Sequence, residues 1–337
     1  MYDAGNVKVP CVCGARAEMS TVPANRQRDL SRGRRPERVT PETLEAAAAR
    51  LIGATGGPIG KAAAQRFIAS AHAQNIDLAR FWIVRQPRGK RILAAALLAP
   101  SSGGTGMLFT SDPRNADEGH ALGEAVDAVC AAPEGVRLAQ SLLEPDQRAI
   151  RRIVDTHGFR HVGDLRYMRR DWAPLPPASN DSPLPAGVTM ERWREGDDDE
   201  LMRALERTYI DTLDCPSLCG VRRTEDVLAS HRGAGEWRPE LWWIIRVDDR
   251  AEGVALVNEF PDQGHAELVY LGLGPELRGR RLSSTVLRTA LRPLEDRSCR
   301  DVTCAVDERN APARALYLSH AFIPFAQRVA LVRPVGD

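Results

Sequence analysis

The segments Glu267-Leu268-Val269-Tyr270-Leu271-Gly272-Leu273 and Arg278-Gly279-Arg280-Arg281-Leu282-Ser283 lie four residues apart in this chain of 337 residues. The first is a continuous apolar run with an acidic residue at its start, which predicts a β-strand. The second is a basic loop that leads into a helix predicted from about 282 to 294. Backbone N–H groups and the positive end of a helix dipole favour a phosphate at such a point. The two segments therefore predict a strand–loop–helix unit that can bind an anion.

The rest of residues 188–337 follows a regular order of elements. Strands are predicted at 188–193, 241–247, 253–260, 267–273, 301–307 and 327–333, and helices at 197–213, 224–231, 282–294 and 311–320. A strand, two helices and three strands, followed by alternating helices and strands, are typical of an α/β sandwich with a mixed sheet. The order does not fit a doubly wound parallel sheet.

The last helix carries a second motif, Asn310-x-x-Ala313-x-x-x-Tyr317-x-x-x-Ala321-Phe322. Together with the strand, the basic loop and the order of elements, this motif resembles the GNAT superfamily of N-acyltransferases, which use acyl-coenzyme A. The resemblance covers residues 188–337. Two further segments, Thr208-Tyr209 and Leu213-Asp214-Cys215-Pro216, resemble those of a bacterial branch of this superfamily whose members have two such domains. Mycothiol synthase has a similar tandem layout. The resemblance thus implies a tandem GNAT-type mixed sheet with flanking helices.

The resemblance implies catalytic roles for Glu267 and Tyr317. Glu267 stands where many GNAT enzymes carry a general base, and an amine acceptor must lose a proton before it attacks. Tyr317 matches the tyrosine that protonates the departing coenzyme A thiolate. Each residue also has a structural interpretation that the sequence leaves open. Glu267 can be a solvent-facing strand residue, and Tyr317 can be a core residue of an amphipathic helix.

The same resemblance implies a groove for the coenzyme. Backbone groups of the strand would pair with the pantetheine arm, and one N–H would polarise the thioester carbonyl. The loop would bind the pyrophosphate, Asn310 would hydrogen-bond the cofactor, and Gly272 suits a β-bulge or a close approach. The residues assigned to this groove are Leu271, Gly272, Leu273, Arg278, Gly279, Arg280, Arg281, Leu282, Ser283, Ser284 and Asn310.

The loop departs from the family pattern at two positions. It keeps Arg278 but has Arg281 and Ser283 where the family has small residues. Glycine at such positions allows close backbone approach or unusual dihedral angles. Arg281 still offers its N–H and adds a guanidinium for a phosphate. The sequence therefore leaves open both a competent phosphate site and a lost one.

The first half of the chain repeats the second only weakly. His157-Gly158-Phe159 matches His320-Ala321-Phe322, and in that alignment Asn310 falls on Gln147 and Tyr317 on Val154. Because both functional residue types are missing, residues 41–172 are predicted to form a degenerate GNAT-like domain. Residues 1–40 are predicted to be a disordered tail. Residues 173–187, rich in proline, are predicted to be an extended linker before the acyltransferase domain at 188–337.

Composition excludes several classes of protein. A net charge of +1 argues against nucleic-acid binding, for which the basic tail offers only weak support. No apolar run reaches the roughly 18 residues of a membrane span, and no signal peptide is recognisable. We therefore expect a cytoplasmic protein that does not associate with a membrane. The seven cysteines, among them Cys11-Val-Cys13 and the pair Cys215 and Cys219, predict free thiols and no metal rather than a zinc site.

These observations predict an acyl-CoA-dependent N-acyltransferase. It would move an acyl group, in the first place acetyl, from acetyl-CoA or another acyl-CoA to an amine by direct attack, without a covalent enzyme intermediate. Small-molecule and peptide amines both remain open as acceptors, and the oligomeric state is not predicted. The alternative is a non-catalytic module on the same fold that binds acyl-CoA or a partner, which Arg281 and Ser283 motivate.

Overall fold

The computed structural model describes residues 34–54, 57–87, 89–132, 134–172, 184–295, 297 and 299–336. The chain divides into two units. Among the described residues, unit 1 contains those up to His161 together with those from Val329 onward, and unit 2 contains Val162–Arg328.

Unit 1 is a mixed sheet with helices packed on it. Its elements are β1 (Pro36–Arg38), α1 (Pro41–Leu51), α2 (Gly57–Ala73), β2 (Phe81–Arg85), β3 (Ile92–Ser101), β4 (Thr105–Thr110), α3 (Ala116–Ala131), β5 (Leu138–Leu143) and α4 (Arg148–Thr156). The strands lie in the order β1-β2-β3-β4-β5, and only β4 and β5 run parallel. Helix α1 begins after Thr40, whose N–H donates to Thr43 Oγ1 at 2.8 Å.

Unit 2 has the same plan. Its elements are β7 (Val188–Arg192), α5 (Asp198–Tyr209), α6 (Thr224–Arg232), β8 (Trp242–Val247), β9 (Arg250–Phe260), β10 (His265–Leu273), α7 (Ser283–Leu291), β11 (Asp301–Asp307) and α8 (Ala311–Ser319). The strands lie in the order β7-β8-β9-β10-β11, and β10 and β11 are the parallel pair. The predicted order of elements and the mixed sheet are confirmed.

Each of the two remaining strands pairs with a strand from the other half of the sequence. Strand β6 (Arg160–Asp171), which ends the first half, pairs with the whole length of β11, from Asp301 opposite Asp171 to Asp307 opposite Leu165. Strand β12 (Ile323–Pro334), which ends the chain, pairs with β5. Each sheet is thus completed by a strand from the other half of the sequence. The units therefore do not coincide with the predicted boundaries 41–172 and 188–337.

The predicted tail and linker fall mostly outside the described residues. Of the tail at 1–40, residues 1–33 are not described, and Pro36–Arg38 form a strand paired with β2 instead of disordered chain. Of the linker at 173–187, residues 173–183 are not described. No helix among the described residues is long and apolar enough to cross a membrane.

Unit 1 fills its own anion-binding position with a carboxylate. The side chain of Glu118, in the first turn of α3, accepts a hydrogen bond from the Arg114 N–H at 3.0 Å. Glu118 also pairs with Arg50 at 3.0 Å and with Arg91 at 2.6 Å, and it is 1% exposed. A phosphate would need the same N–H groups and the same positive helix end. In unit 1 a side chain therefore occupies this helix end, Gln147 is the N-cap of α4 and Val154 is buried. That unit 1 is a degenerate domain stays a prediction.

Candidate active site

The parallel strands β10 and β11 separate after a short stretch of pairing. They are in register over His265, Ala266 and Glu267, where Glu267 lies opposite Thr303. Strand β10 continues to pair with β9 as far as Leu273. From residue 268 onward, the edge of β10 that faces β11 therefore has backbone groups available to a ligand. This opening agrees with the predicted groove along Leu271–Leu273.

A β-bulge in β10 rotates the strand next to this opening. Leu268 lies opposite Val257 and Tyr270 opposite Leu256, so Val269 is the extra residue. At Gly272, where a bulge or a close approach was expected, the structure has the close approach. A Cβ atom at Gly272 would lie 2.7 Å from Thr208 Cβ on α5, so glycine is required there for helix packing.

Glu267 stands at the closed end of the opening, as the last residue of β10 that pairs with β11. Its neighbour on the other side is Asn258 of β9, which is fully buried. Asn258 donates to the carbonyls of His231 and Ala234 and accepts from Trp242 Nε1 at 2.8 Å. This network fixes α6 on the face of the sheet that carries Glu267. A carboxylate held there can take a proton from a group inside the opening.

Tyr317 approaches the opening from the other face of the sheet. It is 5% exposed and packs with Phe322 and Cys304 in the core beneath α7 and α8. Burial raises the pKa of Tyr317 well above that of a free tyrosine, and the neighbouring Cys304 and Asp214 raise it further. The phenol therefore carries its proton at neutral pH, as a general acid must.

Arg278 is bound to the protein through its side chain. Its guanidinium donates to the carbonyls of Leu273 at 2.8 Å, Thr208 at 2.9 Å, Ile210 at 2.6 Å and Asp211 at 3.2 Å. Three of these carbonyls lie at the C-terminal end of α5, where the helix dipole is negative. Arg278 therefore joins the end of β10 to α5, and its guanidinium is not placed to bind a phosphate as predicted.

The other loop residues lie where a phosphate could reach them. Gly279, Arg280 and Arg281 are exposed, and α7 begins at Ser283 with N–H groups that no preceding turn can satisfy. Leu282, also assigned to the groove, is buried in the core, so that only its backbone is available.

Two side chains assigned to the groove have partners within the protein. Ser284 Oγ lies 2.9 Å from His320 Nε2, and His320 Nδ1 lies 2.9 Å from the Leu316 carbonyl. Since a carbonyl only accepts, Nδ1 carries a proton, and with a neutral ring Ser284 donates to Nε2. Asn310 Oδ1 caps α8 by accepting from the Ala313 N–H at 3.2 Å. A contact from either residue to the coenzyme stays a prediction.

Arg281 has the backbone conformation of a glycine. Its φ is +59°, at a position where the family pattern has a small residue. We expect Arg281→Gly to raise the free energy of unfolding by about 1 kcal/mol, because the side chain is exposed and the strain is removed. Arg280→Gly is the control, since Arg280 is exposed and is not among the residues with positive φ. Chemical denaturation should show that Arg281→Gly raises the free energy of unfolding and that Arg280→Gly does not. Equal effects of the two substitutions would show that the backbone at Arg281 is not strained.

A pair of aspartates, not predicted from the sequence, lies at the mouth of the opening. The Glu308 N–H donates to the Asp164 carbonyl, on the side of β11 where β6 lies. Because successive N–H groups of a strand point to opposite edges, the N–H of Asp307 points toward β10. It donates to Asp214 Oδ1 at 3.1 Å. Asp307 is fully buried and paired with Arg309 at 2.7 Å. Asp214 thus occupies the edge of β11 that faces the opening.

Asp214 should make stability depend on pH. Burial raises its pKa to about 6, against the effect of the hydrogen bond from Asp307, and the charge of Asp307 contributes. Because this pKa lies above that of an unfolded aspartate, the folded protein holds a proton that the unfolded chain releases. Stability should therefore fall as pH rises from about 4 to about 6. Asp214→Asn keeps Oδ1 and should remove this fall. Parallel curves of unfolding midpoint against pH for the two proteins would contradict the assignment.

The comparisons with known proteins agree with this geometry. The profile described as the Acetyltransferase (GNAT) family matches residues 200–322, which include Glu267, the basic loop and Tyr317. Residues 200–322 therefore carry a domain of the GNAT family. A mycothiol acetyltransferase from Beutenbergia cavernae is 28% identical over 246 residues, which cover 65% of this chain and 80% of the relative. One from Clavibacter michiganensis subsp. michiganensis is 27% identical over 243 residues, covering 71% of this chain and 76% of the relative.

Solved structures show that the GNAT fold extends over both units. A GCN5-related N-acetyltransferase from Sphaerobacter thermophilus aligns with a TM-score of 0.57 and 21% identity, over 94% of this chain and 99% of that chain. A tandem GNAT protein from the clavulanic acid biosynthesis pathway aligns with a TM-score of 0.50 and 15% identity, over 90% of this chain and 98% of that chain. These structures agree with a tandem layout of the fold. The family profile and the mycothiol acetyltransferase relatives support acyl transfer and do not favour the non-catalytic module.

Proposed function

We propose that this GNAT protein transfers an acetyl group from acetyl-CoA to the amine of a small molecule, and that the reaction takes place in unit 2. The observation that carries the proposal is the opening between β10 and β11, with Glu267 at its closed end and Tyr317 on the opposite face of the sheet. The relatives reported above are mycothiol acetyltransferases, which supports acetyl as the acyl group.

The opening supplies the contacts that the coenzyme needs. The free edge of β10 around Leu271–Leu273 offers backbone groups to the amides of pantetheine. Exposed Gly279, Arg280 and Arg281, with the N-terminus of α7, offer positive charge and N–H groups to the pyrophosphate. In unit 1, Glu118 occupies the corresponding helix end. We therefore assign one coenzyme to each chain.

Glu267 and Tyr317 would move the two protons of the reaction. Glu267 takes a proton from the acceptor's ammonium, directly or through water, and the neutral nitrogen attacks the thioester carbon. A backbone N–H of β10 stabilises the oxyanion. As the carbon–sulfur bond breaks, Tyr317 gives its proton to the thiolate, so that free coenzyme A and an amide are formed. The nitrogen loses its second proton as the amide forms, and through water this proton restores the phenol of Tyr317. Glu267 returns the first proton to solvent.

Replacing Glu267 with Gln tests the base. Gln keeps the size of the side chain but cannot accept the proton, so we expect kcat/KM to fall about 10²- to 10⁴-fold at pH 7. The defect should shrink as pH rises, because more of the amine is then already neutral. Release of free thiol from acetyl-CoA, measured with a panel of small amines between pH 7 and 10, gives both results. A defect that does not change with pH would assign Glu267 a structural role.

The same assay tests the proposed function as a whole. Wild-type protein should release thiol from acetyl-CoA only when an amine is present, and the N-acetylated amine should be found by mass spectrometry in equal amount. Thiol release without acetylated amine would indicate hydrolysis. Acetylation of peptides but of no small amine would move the acceptor to the other class that the sequence left open.

A further inference from the structure

The exchanged strand β6 brings a tyrosine next to the opening. Tyr167 of β6 lies opposite Ala305 of β11, and Glu267 of β10 lies opposite Thr303 of the same strand. Thr303 and Ala305 share a face of the sheet, because alternate strand residues point the same way. Tyr167 and Glu267 therefore flank β11 on one face, two strand spacings apart. That face is opposite to the one on which Tyr317 and Cys304 pack.

The hydroxyl of Tyr167 has no hydrogen-bond partner among the described residues, although the residue is only 8% exposed. An unpaired buried hydroxyl lowers stability, so it calls for an explanation in a folded protein. Burial raises the pKa of Tyr167 above that of a free tyrosine, and the charges of Glu267 and Cys215 also raise it. The phenol is therefore neutral, and its O–H lies within the electrostatic reach of the catalytic carboxylate.

Tyr167 lies between a small side chain and a partly exposed one. Ala305, between it and Glu267, has the smallest side chain that a strand residue other than glycine can have. On its outer side, Tyr167 meets the edge of Phe325, with ring centroids 6.2 Å apart, and Phe325 is 44% exposed.

We propose that Tyr167 is a specificity-determining residue of the acceptor site, and that its hydroxyl donates a hydrogen bond to an oxygen near the amine that Glu267 receives. This inference rests on the proposed acyl transfer. Because a neutral phenol offers its proton, the ligand atom opposite must be an acceptor. The acceptor class is thus a primary amine with an ether, hydroxyl or carbonyl oxygen close to the nitrogen.

Two amines of matched shape test this class. 2-Methoxyethylamine and n-butylamine differ in one position, where an oxygen replaces a methylene group. Wild-type protein should prefer the ether in kcat/KM by about 10- to 100-fold once their different basicities are corrected, because the alkyl chain leaves the hydroxyl unpaired. Tyr167→Phe should remove this preference, mainly through KM, and should leave the affinity for acetyl-CoA unchanged.

A second measurement needs no turnover. Tyr167→Phe removes an unpaired hydroxyl and should leave Tm of the ligand-free protein unchanged or raise it. The matched control is Tyr270→Phe, because Tyr270 Oη lies 2.8 Å from Thr208 Oγ1. The control should lower Tm by about 2–4 °C.

The outcomes separate this inference from the proposed function. If Tyr167→Phe lowers Tm as much as the control, the hydroxyl has a partner in the protein and the inference is overturned. An unchanged ether preference in Tyr167→Phe, or no preference in wild type, also overturns it while acetyl transfer stands. If wild-type protein acetylates no amine at all, the proposed function fails, and the Tm comparison alone reports on the hydroxyl.

Discussion

Tyr317→Phe is expected to lower kcat about 10²- to 10⁴-fold, because it removes the proton donor for the departing thiolate and nothing else. The phenyl ring would keep its contacts with Phe322 and the core beneath α8. The measurement is thiol release under conditions in which chemistry limits the rate. The dissociation constant for acetyl-CoA and Tm, determined on the same samples, should be nearly unchanged.

The two interpretations of Tyr317 differ in this experiment. If Tyr317 only fills the core, activity should survive and Tm should shift modestly, since the hydroxyl is the only group lost. An unchanged kcat would remove Tyr317 from the mechanism and leave the coenzyme site untouched. Protonation of the thiolate by water would then be the next hypothesis to test.

Glu118→Ala is expected to lower the free energy of unfolding by about 3–5 kcal/mol. The change leaves Arg50 without its carboxylate, and the Arg50 side chain is 8% exposed. The N–H of Arg114 also loses its acceptor. Burial lowers the pKa of Arg50 while Glu118 opposes that effect, which shows how strongly the guanidinium depends on this partner. Urea denaturation of wild type and variant gives the difference.

An exposed ion pair in the same unit is the control. Glu45 and Lys61 lie 3.7 Å apart with side chains 42% and 61% exposed. Because solvent screens such a pair, Glu45→Ala should cost less than about 0.5 kcal/mol. If the two variants are destabilised equally, the ion pairs of Glu118 do not stabilise unit 1 more than an exposed pair does. The proposal that Glu118 replaces a phosphate at the N-terminal end of α3 would then fail.

The elements of unit 2 were predictable because each depends on local pattern. The apolar run from 267 to 273 and the strand at 301–307 are found in β10 and β11. The pairing of a strand could not be predicted in this way, because hydrophobic alternation does not tell which sheet edge the strand joins. For this reason β6 was assigned to the first half of the chain, whereas it pairs with β11. Weakly patterned elements such as α2 and β4 were missed altogether.

Features of the candidate site that depend on a local family motif were predicted. The contacts of a side chain with residues far away in the sequence were not. The backbone opening beside Glu267 follows from the resemblance. Arg278 was assigned to the coenzyme groove, but carbonyls at the end of α5, about seventy residues earlier, accept hydrogen bonds from its guanidinium. Gly272 likewise serves the packing of Thr208. Such contacts leave no trace in the spacing of the sequence.

Two side chains at the site escaped the sequence analysis for different reasons. Asp214 lies in the Leu213-Asp214-Cys215-Pro216 segment that pointed to the tandem branch, so a signal existed, but no chemistry was attached to it. Tyr167 gave no signal, because its relation to Glu267 depends on the exchange of β6. A search for strands with a buried tyrosine in the first half would not have placed it in the second unit.

Titration calorimetry with acetyl-CoA tests the central claim most directly. The open helix end of α7 and the free edge of β10 predict one binding site per chain, because Glu118 fills the corresponding position in unit 1. At about 100 times the dissociation constant, the coenzyme should raise the free energy of unfolding by about 2.7 kcal/mol. Absence of binding at millimolar acetyl-CoA, or a stoichiometry of two, would contradict a single catalytic site in unit 2.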